Sequence, residues 1–458
     1  MWPGFVMGLL LDLVYLIAFV LVSPWILYRL VVHGGWRVLG MRCGIGLGEA
    51  VSNSVWLHGS SAGEVSLLKP LIALLERDFP ATPLVISTFT STGLQAATAA
   101  YPQHRVICFP LDLTWLQRRF LKHFDPRLVV IVESEFWPNF LMALRRRKIP
   151  AVVLNGKMSE KSYRIHARTR IVPRMLCDLK FIAVQSTEHA ARIRSLGVSD
   201  ERVAVTGNMK YDLARSHASP ESSERLRKTL AYATDEVVII GGSLHEGEDE
   251  ALLDAFQALD HAKCRASLII VPRYPARVVD IKQRVEARGH RAVLKTAADQ
   301  GDLKAPGHAG ILIVDTVGEL GALYGVADLA FVGGSLFYRG ANKGGHNLME
   351  PAILGVPILF GPYNFSFKET VRDLLMQEAG VMVKDKTELA AAIARLVADA
   401  KWRTEMGDNA KRVVVEGQGA TLRNYELLKD LLADCGPQLQ PIALDSTMPP
   451  AATGPDSS

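Results

Sequence analysis

The sequence predicts an α/β protein built twice over from parallel sheets, and three observations carry that reading. Short runs rich in Val, Ile and Leu alternate with stretches of helical spacing from about residue 50 to residue 430, the pattern of strands joined by crossover helices. At 458 residues the chain exceeds what one hydrophobic core usually serves, so two domains of ordinary size are expected. Several of the apolar runs also end in loops rich in Gly, Ser and charged residues, as at the carboxyl edge of a parallel sheet, where such folds bind ligands.

The N-terminal segment stands apart. No charged residue occurs from Leu13 to Tyr28, and back to Phe5 only Asp12 interrupts the apolar run, which approaches the ~20 residues that cross a bilayer. Residues 1–44 are therefore read as a membrane anchor and its connection. No cationic residue precedes the run, against a cleaved signal peptide, and Arg29, Arg37 and Arg42 follow it, which leaves the body of the protein in the cytoplasm. Ser23-Pro24 and the marginal length leave an interfacial helix as the alternative.

The first half holds three junctions suited to chemistry. Val55-Trp56-Leu57 opens into His58-Gly59-Ser60-Ser61-Ala62-Gly63-Glu64, after which Leu67, Leu68, Leu71, Leu74 and Leu75 show helical spacing. Glu64 thus sits near a helix start, either as a base for an attacking hydroxyl or as a first-turn acid that complements the helix dipole. Leu128 to Val132 ends in Glu133-Ser134-Glu135-Phe136-Trp137-Pro138-Asn139, and two acids at the end of a buried strand are costly unless used or paired. Ala151 to Leu154 delivers Asn155-Gly156-Lys157-Met158-Ser159-Glu160-Lys161-Ser162.

This half is also the basic one. Through residue 215 there are 26 Lys and Arg against 15 Asp and Glu, a net of +11, which leaves −6 for the remainder of a chain at +5. Arg118-Arg119 with Lys122, Arg145 to Lys148, and Lys161, Arg164, Arg168, Arg170 and Arg174 form clusters that read either as solvated helix faces or as a surface for anionic lipid. Nucleic acid is the weaker partner, because no nucleic-acid-binding motif is present and an acidic second half would repel the backbone. The five cysteines, at 43, 108, 177, 264 and 435, form no C-x-x-C pair, so neither a disulfide framework nor a zinc site is indicated.

In the second half, Val237 to Ile240 runs into Gly241-Gly242-Ser243-Leu244-His245-Glu246-Gly247-Glu248, with an amphipathic stretch from Ala251 to Leu259 behind it. Ser267 to Val271 ends in Pro272-Arg273-Tyr274-Pro275. Ala330-Phe331-Val332 leads into Gly333-Gly334-Ser335 and on to Gly344-Gly345-His346-Asn347 and Glu350-Pro351. Gly333-Gly334 would let a ligand approach the backbone, free amides at the next helix start would favour an anion, and Asn347 with Glu350 fits an N-cap and its partner three residues on. The bland reading leaves the glycines as a turn and the two polar residues as a cap. Arg273 offers a permanently charged fork to a phosphate, or is an ordinary surface cation.

One rival is local. Gly59-Ser60-Ser61-Ala62-Gly63 satisfies G-x-S-x-G, the nucleophile elbow of α/β-hydrolases, so a membrane-anchored α/β serine hydrolase is the alternative, and it would need Ser60 or Ser61 with a later Asp and His. Such an elbow normally follows several strands, whereas only the anchor and a short connection precede this one. A catalytically idle nucleotide-sugar-binding protein is a third possibility.

Taken in order, the motifs at 58–64, 133–139, 155–162, Gly207-Asn208-Met209-Lys210-Tyr211-Asp212, 243–248, 271–273 and 344–351 resemble one family over roughly residues 10 to 430: the Kdo transferases, which attach 3-deoxy-D-manno-octulosonic acid from CMP-Kdo to the lipid A precursor. The resemblance implies a GT-B glycosyltransferase, two Rossmann-like domains facing across a cleft, at the inner membrane, inverting the anomeric centre with no cofactor or bound metal. It implies an acceptor domain over 45–213, a hinge over 214–224, a donor domain over 225–415 and a helix over 416–435 that crosses back; the tail 436–458 reads as disordered. Glu64 would be the general base with Glu133 or Glu135 nearby. Lys210, Ser243, His245, Arg273, Gly333, Gly334, Ser335, Asn347 and Glu350 would hold CMP-Kdo, and Ser61, Asn155, Lys157, Ser159 and Arg164 would lie on the acceptor side. The stretch Phe337 to Lys343 is longer than the family pattern, and Leu348 stands where Pro is common.

Overall fold

The computed structural model describes residues 3–434 except positions 34, 170, 215–217, 262–264, 301–309 and 341–343. The tail 436–458, Cys264, Cys435, Arg170 and Ala341 to Lys343 therefore lie outside the described residues. Two compact units are present: the described residues of Met1–Leu213 and Gly419–Ser458 form one, and those of Ala214–Gln418 the other.

In the first unit seven parallel strands, Ser54–His58 (β1), Leu84–Thr88 (β2), Arg105–Cys108 (β3), Pro126–Val132 (β4), Ala151–Gly156 (β5), Ile182–Val184 (β6) and Val203–Val205 (β7), lie in the order β3-β2-β1-β4-β5-β6-β7. The order reverses between β1 and β4, whose registers pair Val55 with Leu128 and His58 with Ile131. β1 and β5 are buried along their whole length, which is why they read as unbroken apolar runs rather than alternating ones. Alternation survives in where the side chains go: Trp56 packs on one face with Phe109, Phe124 and Phe140, while Val55 and Leu57 pack on the other with Leu67, Leu68, Leu71 and Tyr425. The Trp56 indole N–H is satisfied in the core by the Ser87 hydroxyl at 2.7 Å.

Helix Ala420–Asp434 belongs to this unit and is held at its start by Asp212, whose carboxylate accepts the Gly419 and Thr421 amides, and by Arg423, which donates to the Thr206 carbonyl. Pro3–His33 forms a helix of 31 residues, yet among the described residues no helix is long and apolar enough to cross a membrane. The expected spanning anchor is thus not found among the described elements. Asp12, the one acid in the run, faces the domain, where its carboxylate accepts from the Thr114 amide.

The second unit repeats the architecture with Val237–Leu244 (β8), Ala266–Pro272 (β9), Arg291–Leu294 (β10), Gly310–Ile313 (β11), Leu329–Val332 (β12), Ile358–Phe360 (β13) and Gly380–Met382 (β14), in the order β10-β11-β9-β8-β12-β13-β14. Its order reverses between β8 and β12. Ile239 faces a core with Leu252, Phe256 and Leu268, whereas Val238 and Ile240 face the opposite one with Leu312 and Tyr324. Pro220 to Glu224, read from sequence as hinge, instead open the helix Pro220–Thr229: Ser219 and Ser222 form a reciprocal capping box and Pro220 occupies the first turn, where its missing N–H costs nothing.

Candidate active site

In the first unit the candidate acids gather at the reversal of strand order. The loop after β1 turns at Ser60-Ser61, and Ser61 caps helix Ala62–Asp78 by accepting the Glu64 amide. The Glu64 carboxylate folds back to accept the Ser60 amide and the Ser61 hydroxyl, the latter at 3.3 Å. Glu64 thus stands in the first helical turn and faces other acids. Burial, then the neighbouring Glu133 and Glu135 charges, push its carboxyl up to about 7, with the Ser60 amide and Lys157 opposing.

Glu133 follows β4 directly, is 6% exposed, and takes the left-handed backbone (φ 65°) that a non-Gly residue adopts only when its surroundings hold it there. Lys157 from the loop after β5 pairs with it at 2.5 Å. Glu135 is half-buried, and burial raises its carboxyl as well. The three acids predicted from sequence are thus brought together, with one cation among them.

The acceptor-side residues separate. Lys157 is in the acid cluster, but Asn155 is fully buried with φ 55°, and its side-chain oxygen accepts the Met209 amide at 2.9 Å, so it ties β5 to the short helix Met209–Leu213. Ser159 accepts the Ser162 amide at the start of helix Glu160–Thr169, and Arg164 pairs with Glu160 at 2.9 Å on an exposed face. The hydrolase reading fails on geometry. The His58 ring is fully buried, hydrogen-bonded to Ser87 and packed on Phe109, and burial drives it down to about 3. Among the described residues neither Ser60 nor Ser61 has an imidazole partner.

In the second unit the loops after β8, β9 and β12 line a cavity of about 650 Å³ bounded by His245, Tyr274, Phe337, Tyr338, Arg339, Gly344, Gly345 and His346. That volume suits a nucleotide-sized ligand. His245 and His346 stack with rings 9° apart and their Nε2 atoms 2.9 Å apart, so one donates and the other accepts. Burial, then the partner ring and Arg273, bring His346 down to about 4, so this pair offers hydrogen bonds rather than charge near neutral pH. Positive charge comes from Arg273, exposed beside the Tyr274 ring, and from Arg339.

The glycine-rich loop departs from expectation. Its amides do not wait for a phosphate: the Glu248 carboxylate accepts those of His245, Gly334, Ser335 and Leu336 at 2.7 to 3.0 Å, and the Gly333 amide donates to the Gly242 carbonyl. Gly333 is required because a Cβ there would lie 2.7 Å from a Glu248 oxygen, and Gly334 (φ 71°) because its Cβ would meet His346 at 2.7 Å. Ser335 is fully buried, its hydroxyl donating to the Val332 carbonyl and accepting the Gly361 amide. The chain's own carboxylate thus occupies the nest assigned to ligand. Likewise Asn347 is not the N-cap of helix Met349–Ile353, a place held by Leu348; it accepts the Met349 amide and donates to Glu350 at 3.0 Å. Ser243, at the end of β8, has φ 55°. Lys210 lies in the first unit, on Met209–Leu213. Glu248, His346 and Arg339 had no assigned role from sequence; three of the four amides that converge on Glu248 come from a loop 86 to 88 residues distant, which no local pattern displays.

Among the described residues no three His, Cys, Asp or Glu are placed to hold a metal ion. Residues 38–213 match the family described as 3-deoxy-D-manno-octulosonic-acid transferase (kdotransferase). A 3-deoxy-D-manno-octulosonic acid transferase of Haemophilus influenzae is 31% identical over 82% of this chain and 87% of its own length, and one of Bordetella pertussis is 32% identical over the same shares. The solved UDP-GlcNAc 2-epimerase of Neisseria meningitidis matches 81% of this chain and all of its own, with a TM-score of 0.51 at 13% identity, a likeness of fold alone. With the acid cluster on one parallel-sheet unit, the cation-flanked cavity on a second, and relatives that extend across both, the chain belongs to the Kdo transferase family.

Proposed function

We propose that this chain transfers Kdo from CMP-Kdo to the lipid A precursor with inversion, using Glu64 as general base. The observation that carries the reading is the Glu64 carboxyl, pushed up to about 7 beside Glu133 and Glu135. A base with that affinity takes the proton of the acceptor hydroxyl as its oxygen attacks the anomeric carbon of Kdo, while the bond to the CMP phosphate breaks and CMP leaves with the added negative charge. Arg273 and Arg339 stabilise that charge in the second unit's cavity, and the His245–His346 pair orients the phosphate by hydrogen bonding. The step draws on no cofactor or metal.

The helix Pro3–His33, with Leu13, Val14, Leu16, Ile17, Val20, Leu21 and Trp25 exposed, serves as the attachment to the cytoplasmic face of the inner membrane. Arg118 and Arg146, whose charges interact, face anionic lipid beside it.

The test is transfer of labelled sugar from freshly generated CMP-Kdo to tetraacylated lipid A precursor, read as product mass. A product heavier by one or more Kdo units is expected, and a folded, CMP-binding protein that yields none would refute the assignment. A finer expectation concerns Lys157. Because its charge holds the Glu64 carboxyl down while pairing with Glu133, Lys157→Met should move the acidic limb of the kcat/KM profile upward by about half a pH unit. A limb that stays in place would show that Glu64 does not set it.

A further inference from the structure

Asp12 is the single acid in the apolar N-terminal run, and the proposed reaction gives it no part. Its Oδ1 accepts the Thr114 amide at 3.0 Å and the Asn139 side-chain amide at 2.9 Å. Thr114 opens helix Thr114–Phe124, and Asn139 stands in the first turn of helix Pro138–Arg147. One helical turn after the approach of Gly8, where a Cβ would lie 3.2 Å from the Thr114 hydroxyl, the chain therefore grips two other helices at their amino ends.

A second carboxylate completes the joint. Asp112, 7% exposed, accepts the amides of Asn139 and Phe140 at 3.0 and 2.9 Å, capping helix Pro138–Arg147, and it accepts the hydroxyl of Tyr15 at 3.2 Å. The Asn139 side-chain amide donates twice, since its Nδ2 also reaches the Asp112 carbonyl at 2.6 Å. Both carboxylates accept amides at the amino end of a helix, where the partial positive charge suits an acid. The residue immediately before that helix start is Trp137, and Glu135 and Glu133 lie two and four residues further back.

We propose that Asp12 is a positioning residue for the transfer reaction: it couples the N-terminal helix to the start of Pro138–Arg147 and thereby sets the loop that carries Glu133 and Glu135. The proposal rests on the reaction assigned above. It explains why an acid that opposes contact with lipid occupies the middle of an otherwise apolar segment.

The experiment uses the full chain with Asp12→Leu and Asp12→Asn, acceptor presented in phospholipid vesicles. Asn retains an oxygen that accepts both hydrogen bonds, whereas Leu retains neither. Asp12→Leu should lose about tenfold to a hundredfold in kcat with KM for CMP-Kdo unchanged, while still sedimenting with vesicles, and Asp12→Asn should stay within about twofold of wild type. Amide hydrogen exchange over residues 133–140 should quicken in Asp12→Leu and not in Asp12→Asn, a readout independent of turnover. Unchanged kcat and exchange in Asp12→Leu would overturn the proposal, as would an equal loss in Asp12→Asn. Failure of the wild type to transfer Kdo would fall on the proposed reaction, and the exchange comparison would still decide the role of Asp12.

Discussion

Glu64→Gln is expected to lower kcat by about a thousandfold while leaving CMP affinity within about twofold of wild type. The amide keeps the shape and can still accept the Ser60 N–H, so the fold of the loop is preserved and only proton removal is lost. The same carboxyl makes a pH prediction. Its folded value of about 7 lies above its ordinary value of 4.5, so as a base it is active only as pH rises through about 7, and kcat/KM should fall tenfold per unit below that point. Stability runs the other way. Because the folded state favours the protonated form, the stabilisation from Glu64 is full below about 4.5 and lost as pH rises through about 7. At pH 8 the Gln variant should accordingly melt no lower than wild type. Steady-state kinetics, calorimetric CMP titration and thermal melts at pH 6 and 8 check these expectations. A variant that retains wild-type kcat would remove Glu64 from the chemistry.

Glu248→Ala is expected to be the most damaging change in the second unit. The side chain is 1% exposed and accepts four amides, so its loss leaves four buried donors without a partner. An unsatisfied buried donor costs about 1–3 kcal/mol, and relaxation of the loop will recover part of the total, so a net loss of about 3–5 kcal/mol is the reasonable scale. Glu248→Gln tests shape against charge. Its one oxygen can serve two of the amides, while its NH₂ faces the other two as donor against donor, so it should rescue little. Both variants should lose CMP binding, because His245 and the 333–336 loop frame the cavity. Denaturant unfolding and CMP titration measure the two effects. A Glu248→Ala protein of wild-type stability that still bound CMP would show that the loop holds itself.

Much of the architecture was legible before any coordinates. β4 and β9 are buried on both faces, so they appear as unbroken apolar runs, and the helix behind β1 shows its spacing in Leu67, Leu68, Leu71 and Leu75. Glu133 and Glu135 stood out in the sequence because acids at the end of a buried strand are costly unless used or paired, whereas their closeness to Glu64 follows from the pairing of β1 with β4. The glycine-rich loop misled for a definite reason. Gly333 and Gly334 signal close approach, but the sequence does not say what approaches, and here it is Glu248 and His346. Asn155 carries the same ambiguity, since a polar residue at a strand end serves a ligand or the next element equally well, and its side-chain oxygen accepts the Met209 amide.

Local order in the chain was enough to set two parallel-sheet units, the polar strand-end loops, and the family these loops resemble, because strand burial, helical spacing and loop composition are short-range properties. Packing alone decided the rest: Glu248 filling the amide nest, His245 against His346 from 101 residues away, and Asp12 reaching Asn139 across 127. Each of these is a hydrogen bond between groups that only the assembled sheets and helices bring within 3 Å, and the free energy of such a bond depends on burial that no single segment possesses.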